Sequence, residues 1–308
     1  MHLDHVIREF LNSHCECSEV VSVNPDNSEE RARNRVIDYY NATQDGYNDV
    51  YSPIHHGMHY GYWDKNVKSH EESLAKLDDV CAEIAEIKQS ELVLDAGCGV
   101  GGSAIWLANN IGARVVGITL VPKQIEFAKR FAQEKNIENL VDFRIMDFTN
   151  TSFPDETFDV VWAIESICHT PDQRLFLAEA YRILKRGGRL LVSDYYVSKH
   201  DLENSEKKTL EDWLNATAAP GIPSSDEFRG YLADQRFQDI QFFDITENSL
   251  PSARIIHEMG KLSIEQKVDS SSEHERQLIQ EDDMGMILQL GLFEKGIVAK
   301  GIFCCMKT

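Results

Sequence analysis

The chain has 308 residues, of which 42% are hydrophobic, and its 51 acidic residues against 31 basic ones give a formal net charge of −20. This apolar share excludes a disordered acidic tail, and the negative charge disfavours nucleic acid as a partner, because phosphate backbones bind clustered lysine and arginine. No apolar run reaches the roughly 20 residues that cross a bilayer, so we expect no transmembrane segment. The seven cysteines include no Cys-x-x-Cys pair. This pattern and the absence of a signal-like N-terminus predict a cytoplasmic protein without a metal site.

The predicted elements begin with an N-terminal appendage at residues 1–28. Residues 29–90 follow as N-terminal helices and an aromatic loop. The apolar spacing predicts one helix from Ser28 to about Gln44 and another from about Ser69 to Ile87. The intervening loop, from Tyr47 to Asp64, is rich in aromatic residues and histidines.

Short apolar runs alternate with helical patterns over residues 91–248. The predicted strands are residues 91–96, 113–118, 141–146, 158–164, 189–195 and 237–245. The helices predicted between them are residues 102–110, 121–135 and 172–184. This alternation predicts an α/β fold with a doubly wound, mostly parallel, seven-stranded Rossmann-like sheet.

The C-terminal part breaks the alternation. Residues 249–295 contain two helical patterns, near Ala253–Lys267 and Glu273–Leu292, and residues 296–308 carry the last strand of the core sheet. A helical pair inserted before the last strand is unusual in a compact fold. We therefore expect a helical cap over a ligand-binding site.

A glycine-rich turn follows the first predicted strand. Gly97 and Gly99 let the backbone approach a ligand without an obstructing Cβ, at the strand end where open α/β sheets bind ligands. The same glycines, with Gly102, also match a dinucleotide-binding fingerprint. However, the second strand ends in Gly117-Ile-Thr-Leu without the acidic residue of that site, and Asp95 places a negative charge before the turn. These features favour a cationic ligand, such as a sulfonium that carries an ammonium group, over a pyrophosphate.

The stretch from about residue 57 to 196 resembles the class I S-adenosylmethionine-dependent methyltransferases. Four segments in the family's order carry the resemblance: Leu94-Asp-Ala-Gly-Cys-Gly99, Asp147-Phe148, Glu165, and Leu184-Lys-Arg-Gly-Gly-Arg-Leu190. The string Gly117-Ile-Thr-Leu-x-Pro-x-Gln124 is similar to the branch that contains the γ-tocopherol and sterol C-24 methyltransferases. The resemblance implies S-adenosyl-L-methionine as the cofactor.

The resemblance also implies a set of cofactor-binding residues. They are Tyr60, Asp95, Gly97, Gly99, Thr119, Leu120, Gln124, Asp147, Phe148 and Glu165. Gly97, Gly99 and Asp95 would hold the amino acid end, and Thr119 and Gln124 the ribose side. Asp147 would bind the adenine amino group, and Phe148 would flank the ring.

Two further segments are similar to the same branch. Ala163–Pro171 carries Glu165 and His169, and Gly57–Trp63 carries three aromatic residues. We interpret Glu165 and His169 as the catalytic candidates, since an i, i+4 spacing beyond a strand end places both on one side of a helical turn. The alternatives are that His169 is structural and that Glu165 only orients the cofactor or caps a helix.

The aromatic residues Tyr60, Tyr62 and Trp63 are predicted to attract the sulfonium and close the pocket, or else to pack where the N-terminal helices dock. His55 and His56 are loop residues or acceptor contacts. These two alternatives stay open at the level of sequence.

These features predict a methyltransferase for a small, largely apolar acceptor. The first hypothesis is C-methylation of an isoprenoid, sterol-like or prenylated aromatic substrate. The alternatives are N- or O-methylation of a small amine or hydroxyl metabolite, and a catalytically silent cofactor-binding module. The sequence leaves the oligomeric state open.

Overall fold

The computed structural model describes residues 28–265 and 272–308. The predicted N-terminal appendage lies outside these residues except for Ser28, and so do Cys15 and Cys17. Within the described ranges, no helix is both long enough and apolar enough to span a membrane.

Two helices precede the sheet. Helix α1 spans Ser28–Gly46 and continues into a π-helical turn at Tyr47–Tyr51, and helix α2 spans His70–Ile84. The Ser69 side chain caps α2 by accepting a hydrogen bond from the amide of Glu72, which satisfies one free donor of the first turn. The sequence predicted both helices to within a few residues. Residues 52–69, here called the covering loop, connect them.

The strands that follow form one sheet. They are β1 (Leu92–Ala96), β2 (Arg114–Thr119), β3 (Val141–Ile145), β4 (Phe158–Ile164), β5 (Leu184–Val197), β6 (Gln238–Asp244) and β7 (Val298–Met306). Their order is β3-β2-β1-β4-β5-β7-β6, and β7 runs antiparallel to both of its neighbours. The first five strands pair in parallel. The predicted doubly wound, mostly parallel, seven-stranded Rossmann-like sheet is confirmed.

Helices cover both faces of this sheet. They are α3 (Gly102–Asn110), α4 (Pro122–Glu134), α5 (Gln173–Ile183), α6 (Asn204–Ala216), α7 (Ser225–Asp234), α8 (Thr246–Ile264) and α9 (Glu273–Glu294). Sequence reasoning missed α6 and α7, although each begins with a capping box, as at Ser224 and Glu227. It also placed the start of α8 near Ala253, whereas the helix begins at Thr246 and contains Pro251, a residue type that usually marks a helix boundary.

The strand order positions the site. The chain winds outward from β1 through β2 to β3, and then from β4 through β5 in the other direction. The reversal between β1 and β4 leaves a crevice at their carboxyl ends, where open α/β sheets bind ligands. Buried side chains of the central strands, among them Leu94, Trp162 and Leu191, hold this edge in place.

Candidate active site

Two adjoining cavities lie at the carboxyl edge of the sheet. The first cavity encloses about 990 Å³, including its mouth, between the ends of β1, β2 and β4, helix α1 and the covering loop. The second cavity encloses about 700 Å³ between α1, α6, β5 and the two cap helices α8 and α9. Four residues line both: Tyr40, Met58, Glu165 and His169. The two cavities are therefore neighbours, separated by a boundary that these four side chains form.

The glycine turn after β1 forms the floor of the first cavity. Gly97 has φ of +91° and Gly99 has φ of +52°, values that side chains rarely allow. A Cβ on Gly97 would collide with the Cβ of Ser166, which itself donates a hydrogen bond to the carbonyl of Ala96 at 2.6 Å. The turn and the segment after β4 thus pack together only because Gly97 has no side chain.

Asp95 lies buried beside this turn. Its Oδ2 has no hydrogen-bond partner among the described residues. Burial, with a smaller contribution from the negative charge of Asp78, raises the pKa of Asp95 to about 8. An unpaired buried carboxylate is costly unless a cation or a hydrogen-bond donor meets it.

A chain of amide and hydroxyl groups closes one side of the first cavity. Thr119 Oγ1 donates to Gln124 Oε1 at 2.6 Å, and Gln124 Nε2 donates to Gln44 Oε1 at 2.8 Å. Gln44 in turn donates to Asn48 Oδ1 at 3.0 Å. Gln44 comes from α1, so this network joins the N-terminal helix to the end of β2. Leu120 lines the cavity next to it.

Asp147 and Phe148 lie at the opposite side. Asp147 Oδ1 accepts hydrogen bonds from the Thr149 amide at 2.8 Å and from the Thr149 hydroxyl at 2.7 Å. Asp147 Oδ2 accepts a bond of 3.0 Å from Arg33 of α1, whose side chain is 40% exposed. Phe148 lines the cavity and meets Phe176 edge to face.

Glu165 lies between the two cavities, in a left-handed backbone conformation with φ of +47°. Its Oε1 accepts a hydrogen bond of 2.8 Å from the Tyr60 amide, and its Oε2 accepts one from the Tyr195 hydroxyl. Lys300 Nζ lies 3.0 Å from Oε1, at an angle that makes the contact an ion pair rather than a hydrogen bond. Lys300 is completely buried, so the charges of Glu165 and Lys300 balance inside the protein.

His169 occupies the other side of the boundary. Its Nδ1 lies 3.1 Å from the carbonyl of Ala218, which can only accept, so Nδ1 carries the proton. Its Nε2 therefore accepts from the Tyr40 hydroxyl at 2.9 Å. Burial lowers the pKa of His169, which keeps the imidazole neutral. A neutral imidazole in a hydrogen-bonded pair with a tyrosine can take up a proton.

Aromatic side chains dominate the wall of the second cavity. They are Tyr39, Tyr40, Tyr47, Tyr51, Tyr60, Tyr195 and Trp213. Asp282 of α9 lies among them and accepts hydrogen bonds from the hydroxyls of Tyr39 and Tyr47. Burial raises the pKa of Asp282 to about 6, against the opposing effect of the two tyrosine hydroxyls.

Most of the predicted site residues meet at the first cavity. Those that line it are Asp95, Gly97, Gly99, Thr119, Leu120, Gln124, Asp147, Phe148, Glu165 and His169. The Tyr60 side chain lies in the second cavity, and Tyr62 and Trp63 line neither. Trp63 instead donates a hydrogen bond to Ser252 of α8 at 2.8 Å.

The structure also brings in residues that sequence reasoning missed. They are Arg33, Tyr40 and Gln44 of α1, Met58 of the covering loop, Asp282 of α9 and Lys300 of β7. Helical periodicity shows that α1 has a buried face but not what it covers. A charged residue inside the apolar strand Val298–Met306 was the one available signal for Lys300.

Comparison with known proteins decides the family. A family model described as a methyltransferase domain matches residues 94–192. The chain is 32% identical over 197 residues to the 27-O-demethylrifamycin SV methyltransferase of Amycolatopsis mediterranei, a match that covers 63% of this chain and 71% of that one. The chain belongs to the class I S-adenosylmethionine-dependent methyltransferases.

Two further matches agree with this family. The methyltransferase is 33% identical over 229 residues to the sterol 24-C-methyltransferase of Saccharomyces cerevisiae, a match that covers 72% of this chain and 58% of that one. Its fold is that of a mycolic acid cyclopropane synthase crystallised with S-adenosylhomocysteine, with a TM-score of 0.79 and 15% identity over 89% of this chain and 98% of the other. The predicted resemblance and the predicted cofactor, S-adenosylmethionine, are confirmed.

Proposed function

We propose that the first cavity binds S-adenosylmethionine and that the second cavity binds an apolar acceptor that is methylated on carbon. The acceptor class is an isoprenoid, a sterol-like molecule or a prenylated aromatic compound. The observation that carries this proposal is the aromatic second cavity, which meets the first at Glu165 and His169. The sterol methyltransferase among the relatives supports the same acceptor class.

The first cavity fits a cationic methyl donor. The unpaired oxygen of Asp95 would accept from the ammonium group of the cofactor, and the bare backbone at Gly97 and Gly99 would contact its amino acid end. The network of Thr119 and Gln124, with Leu120, would face the ribose. When bound, the cofactor supplies a methyl group activated by a sulfonium.

The adenine would lie between Asp147 and Phe148. Asp147 would accept from the adenine amino group, although both of its oxygens already have partners within the chain. The partly exposed Arg33 is the partner that can move away. Opening and closing of α1 over the cavity would then accompany cofactor exchange.

The second cavity fits carbon methylation because aromatic faces stabilise positive charge. Adding a methyl group to an alkene leaves positive charge on the acceptor, and the face of a tyrosine or tryptophan ring stabilises a nearby cation by about 0.5–2 kcal/mol. Tyr40, Tyr60 and Tyr195 lie closest to the boundary residues Glu165 and His169.

The two catalytic candidates have different roles in this proposal. Glu165 is saturated by Tyr60, Tyr195 and Lys300, so it acts as a fixed negative charge that also anchors the covering loop. His169 Nε2 is the group that accepts a proton, directly or through the Tyr40 hydroxyl.

Asp282 favours a second candidate function. Its carboxylate is ionised above its raised pKa of about 6 and lies inside the aromatic wall, which is an arrangement that binds a protonated amine. Methylation of that nitrogen would first require transfer of its proton to the Asp282 carboxylate, because a protonated amine has no free electron pair. N-methylation of an apolar amine is therefore the alternative to carbon methylation.

Product analysis distinguishes these functions. The protein is incubated with the cofactor carrying a deuterated methyl group and with an isoprenoid diphosphate, a sterol, a prenylated phenol and an apolar tertiary amine. We expect a labelled methyl group on carbon, located by NMR, for one of the first three. A labelled methyl group found on nitrogen or oxygen alone would overturn the proposal of carbon methylation.

A histidine pair tests the chemical step. His169→Ala should reduce turnover about 100-fold, with cofactor affinity almost unchanged, because a general base contributes on that order. The matched control is His257→Ala, since His257 also binds a backbone carbonyl through Nδ1, that of Ile287, but lines neither cavity. Equal turnover of the two variants would remove His169 from the chemistry.

A further inference from the structure

Two histidines and an aspartate meet beneath the covering loop. His55 and His59 come from the loop, and Asp78 comes from α2. One potential ligand atom from each residue lies within 4.8 Å of the other two. Their side chains are buried, with exposed fractions of 8%, 5% and 0% respectively. We call these three residues the His–Asp cluster.

The hydrogen bonds of His59 leave one ring nitrogen as an acceptor. Its Nδ1 faces the Tyr60 carbonyl at 2.9 Å and therefore carries the proton. Metal-binding histidines usually donate their second ring N–H in this way, which fixes the tautomer. The other nitrogen, Nε2, accepts a hydrogen bond of 3.3 Å from the Ser103 hydroxyl, its one donor among the described residues.

Asp78 faces that nitrogen without a proton between them. Asp78 Oδ1 lies 3.8 Å from His59 Nε2 and has no hydrogen-bond partner among the described residues. Asp78 Oδ2 accepts a hydrogen bond of 2.8 Å from His55 Nε2, so the electron pair of His55 lies on Nδ1, which has no hydrogen-bond partner among the described residues. The cluster thus holds a carboxylate oxygen and an imidazole nitrogen that lack a donor or a cation.

A different buried carboxylate near the cavities, that of Glu165, shows the contrast. Glu165 is balanced by the ammonium group of Lys300 at 3.0 Å. In the described part of the chain, the ion pairs of Asp78 are with His55 and His59 only. A fully buried carboxylate without a permanent cation is expensive, and metal coordination is one of the ways in which proteins stabilise it.

We propose that the His–Asp cluster binds a divalent ion of the zinc type. Imidazole and carboxylate ligands suit Zn²⁺, and its bonds of roughly 2.0–2.2 Å place tetrahedral ligands about 3.3 Å apart. The 3.8 Å between Asp78 Oδ1 and His59 Nε2 is close to this value, and one ligand atom from each of the three residues lies within 4.8 Å of the other two. The Ser103 hydroxyl or a water completes the coordination.

The ion would fasten the covering loop over the cofactor. His56, Gly57, Met58 and His59 line the first cavity, and Asp78 belongs to α2 outside it. Gly57 packs so closely that a Cβ there would approach ring nitrogens of His55 and His59 to 2.6 Å and 2.7 Å. Binding of the ion would therefore fix the position of loop residues that line the first cavity.

Metal titration of the full chain tests this inference. Protein treated with a chelator is titrated with Co²⁺, followed by its visible absorption, and with Zn²⁺, followed by calorimetry. We expect one saturable equivalent in the wild type, and at least tenfold weaker binding in Asp78→Asn and in His59→Gln. His257→Gln, outside the cluster, should bind as the wild type does.

A second readout is independent of activity and of the acceptor. Zn²⁺ should strengthen the binding of S-adenosylhomocysteine severalfold in the wild type and leave it unchanged in His59→Gln. Absence of a saturable equivalent in the wild type would overturn the inference, as would equal binding by the wild type and both cluster variants. The wild-type result decides the matter even if a variant folds poorly, and circular dichroism reports folding.

Discussion

The two cavities are built in different ways. The first is formed by backbone turns and short polar side chains at the ends of β1, β2 and β4, where a single added methyl group at Gly97 would collide with Ser166. The second is formed by large aromatic side chains from α1, the covering loop, β5 and α6, together with the cap. The first cavity is therefore strict, in the sense that it tolerates little change in its own residues or in its ligand. The second cavity can be reshaped by substitution.

This contrast predicts a large effect for Gly97→Ala. The added Cβ meets Ser166 and is strained at φ of +91°, so cofactor affinity should fall about 100-fold or more. Calorimetry with S-adenosylhomocysteine measures the loss. Gly187→Ala is the matched control, because Gly187 has φ of +75° but nothing within 4 Å of its Cβ position. Similar affinities of the two variants would contradict the strict first cavity.

Asp95→Asn should have the next largest effect. Above about pH 8, where Asp95 is ionised, this change should weaken binding of S-adenosylmethionine roughly 30-fold, because a buried charge pair loses one partner. The Asn side chain keeps the shape of the site. Unchanged affinity would show that Asp95 does not hold the cofactor.

The same variant gives a pH dependence of stability. The folded-state pKa of Asp95 is raised to about 8 from an ordinary value of 3.8, so the folded protein favours the protonated carboxyl. The contribution of the Asp95 carboxyl to the free energy of unfolding is therefore complete below about pH 4 and is lost as the pH rises towards 8. In the absence of cofactor, the Tm of Asp95→Asn should therefore exceed that of the wild type, and the difference should grow as the pH rises from 5 to 8. A constant difference in Tm over that range would contradict the raised pKa.

Tyr40→Phe, at the boundary between the cavities, should reduce turnover. The change removes the hydroxyl that donates to His169 Nε2, so kcat should fall about tenfold. Cofactor affinity should change less than about twofold, because the ring remains. Tyr231→Phe, away from both cavities, is the control. A fall in cofactor affinity alone would place the role of Tyr40 in the first cavity.

The smallest effect is expected in the second cavity. Tyr47→Phe removes the longer of the two tyrosine hydrogen bonds to Asp282, at 3.3 Å. The KM for an acceptor should change about threefold at most, since a long hydrogen bond contributes little. A change greater than tenfold would show that the second cavity is as strict as the first.

The sequence predicted the first cavity better than the second, for a physical reason. Asp95, Gly97 and Gly99 are neighbours in the chain, and Asp147 and Glu165 follow strand ends, so the topology of the sheet alone brings them together. By contrast, Tyr39 and Asp282 are 243 positions apart and meet only when α1 packs on α9. No local pattern encodes that contact.

The same limit explains the other omissions. In the sequence, Gln44 and Arg33 look like ordinary polar residues of an amphipathic helix. Their place at the first cavity depends on how α1 packs. The His–Asp cluster was missed because Asp78 lies on a different element from His55 and His59. Helices α6 and α7 were missed because each has a strong capping signal but no apolar stripe that is easy to recognise in the sequence.

A crystal structure with S-adenosylhomocysteine tests the central claim most directly. The account predicts the ligand in the first cavity, with its ammonium group on Asp95, its ribose at Gln124 and its sulfur at the boundary formed by Glu165 and His169. The second cavity would then open directly onto that sulfur. A ligand bound in the second cavity, or one whose sulfur faces away from that boundary, would contradict the account.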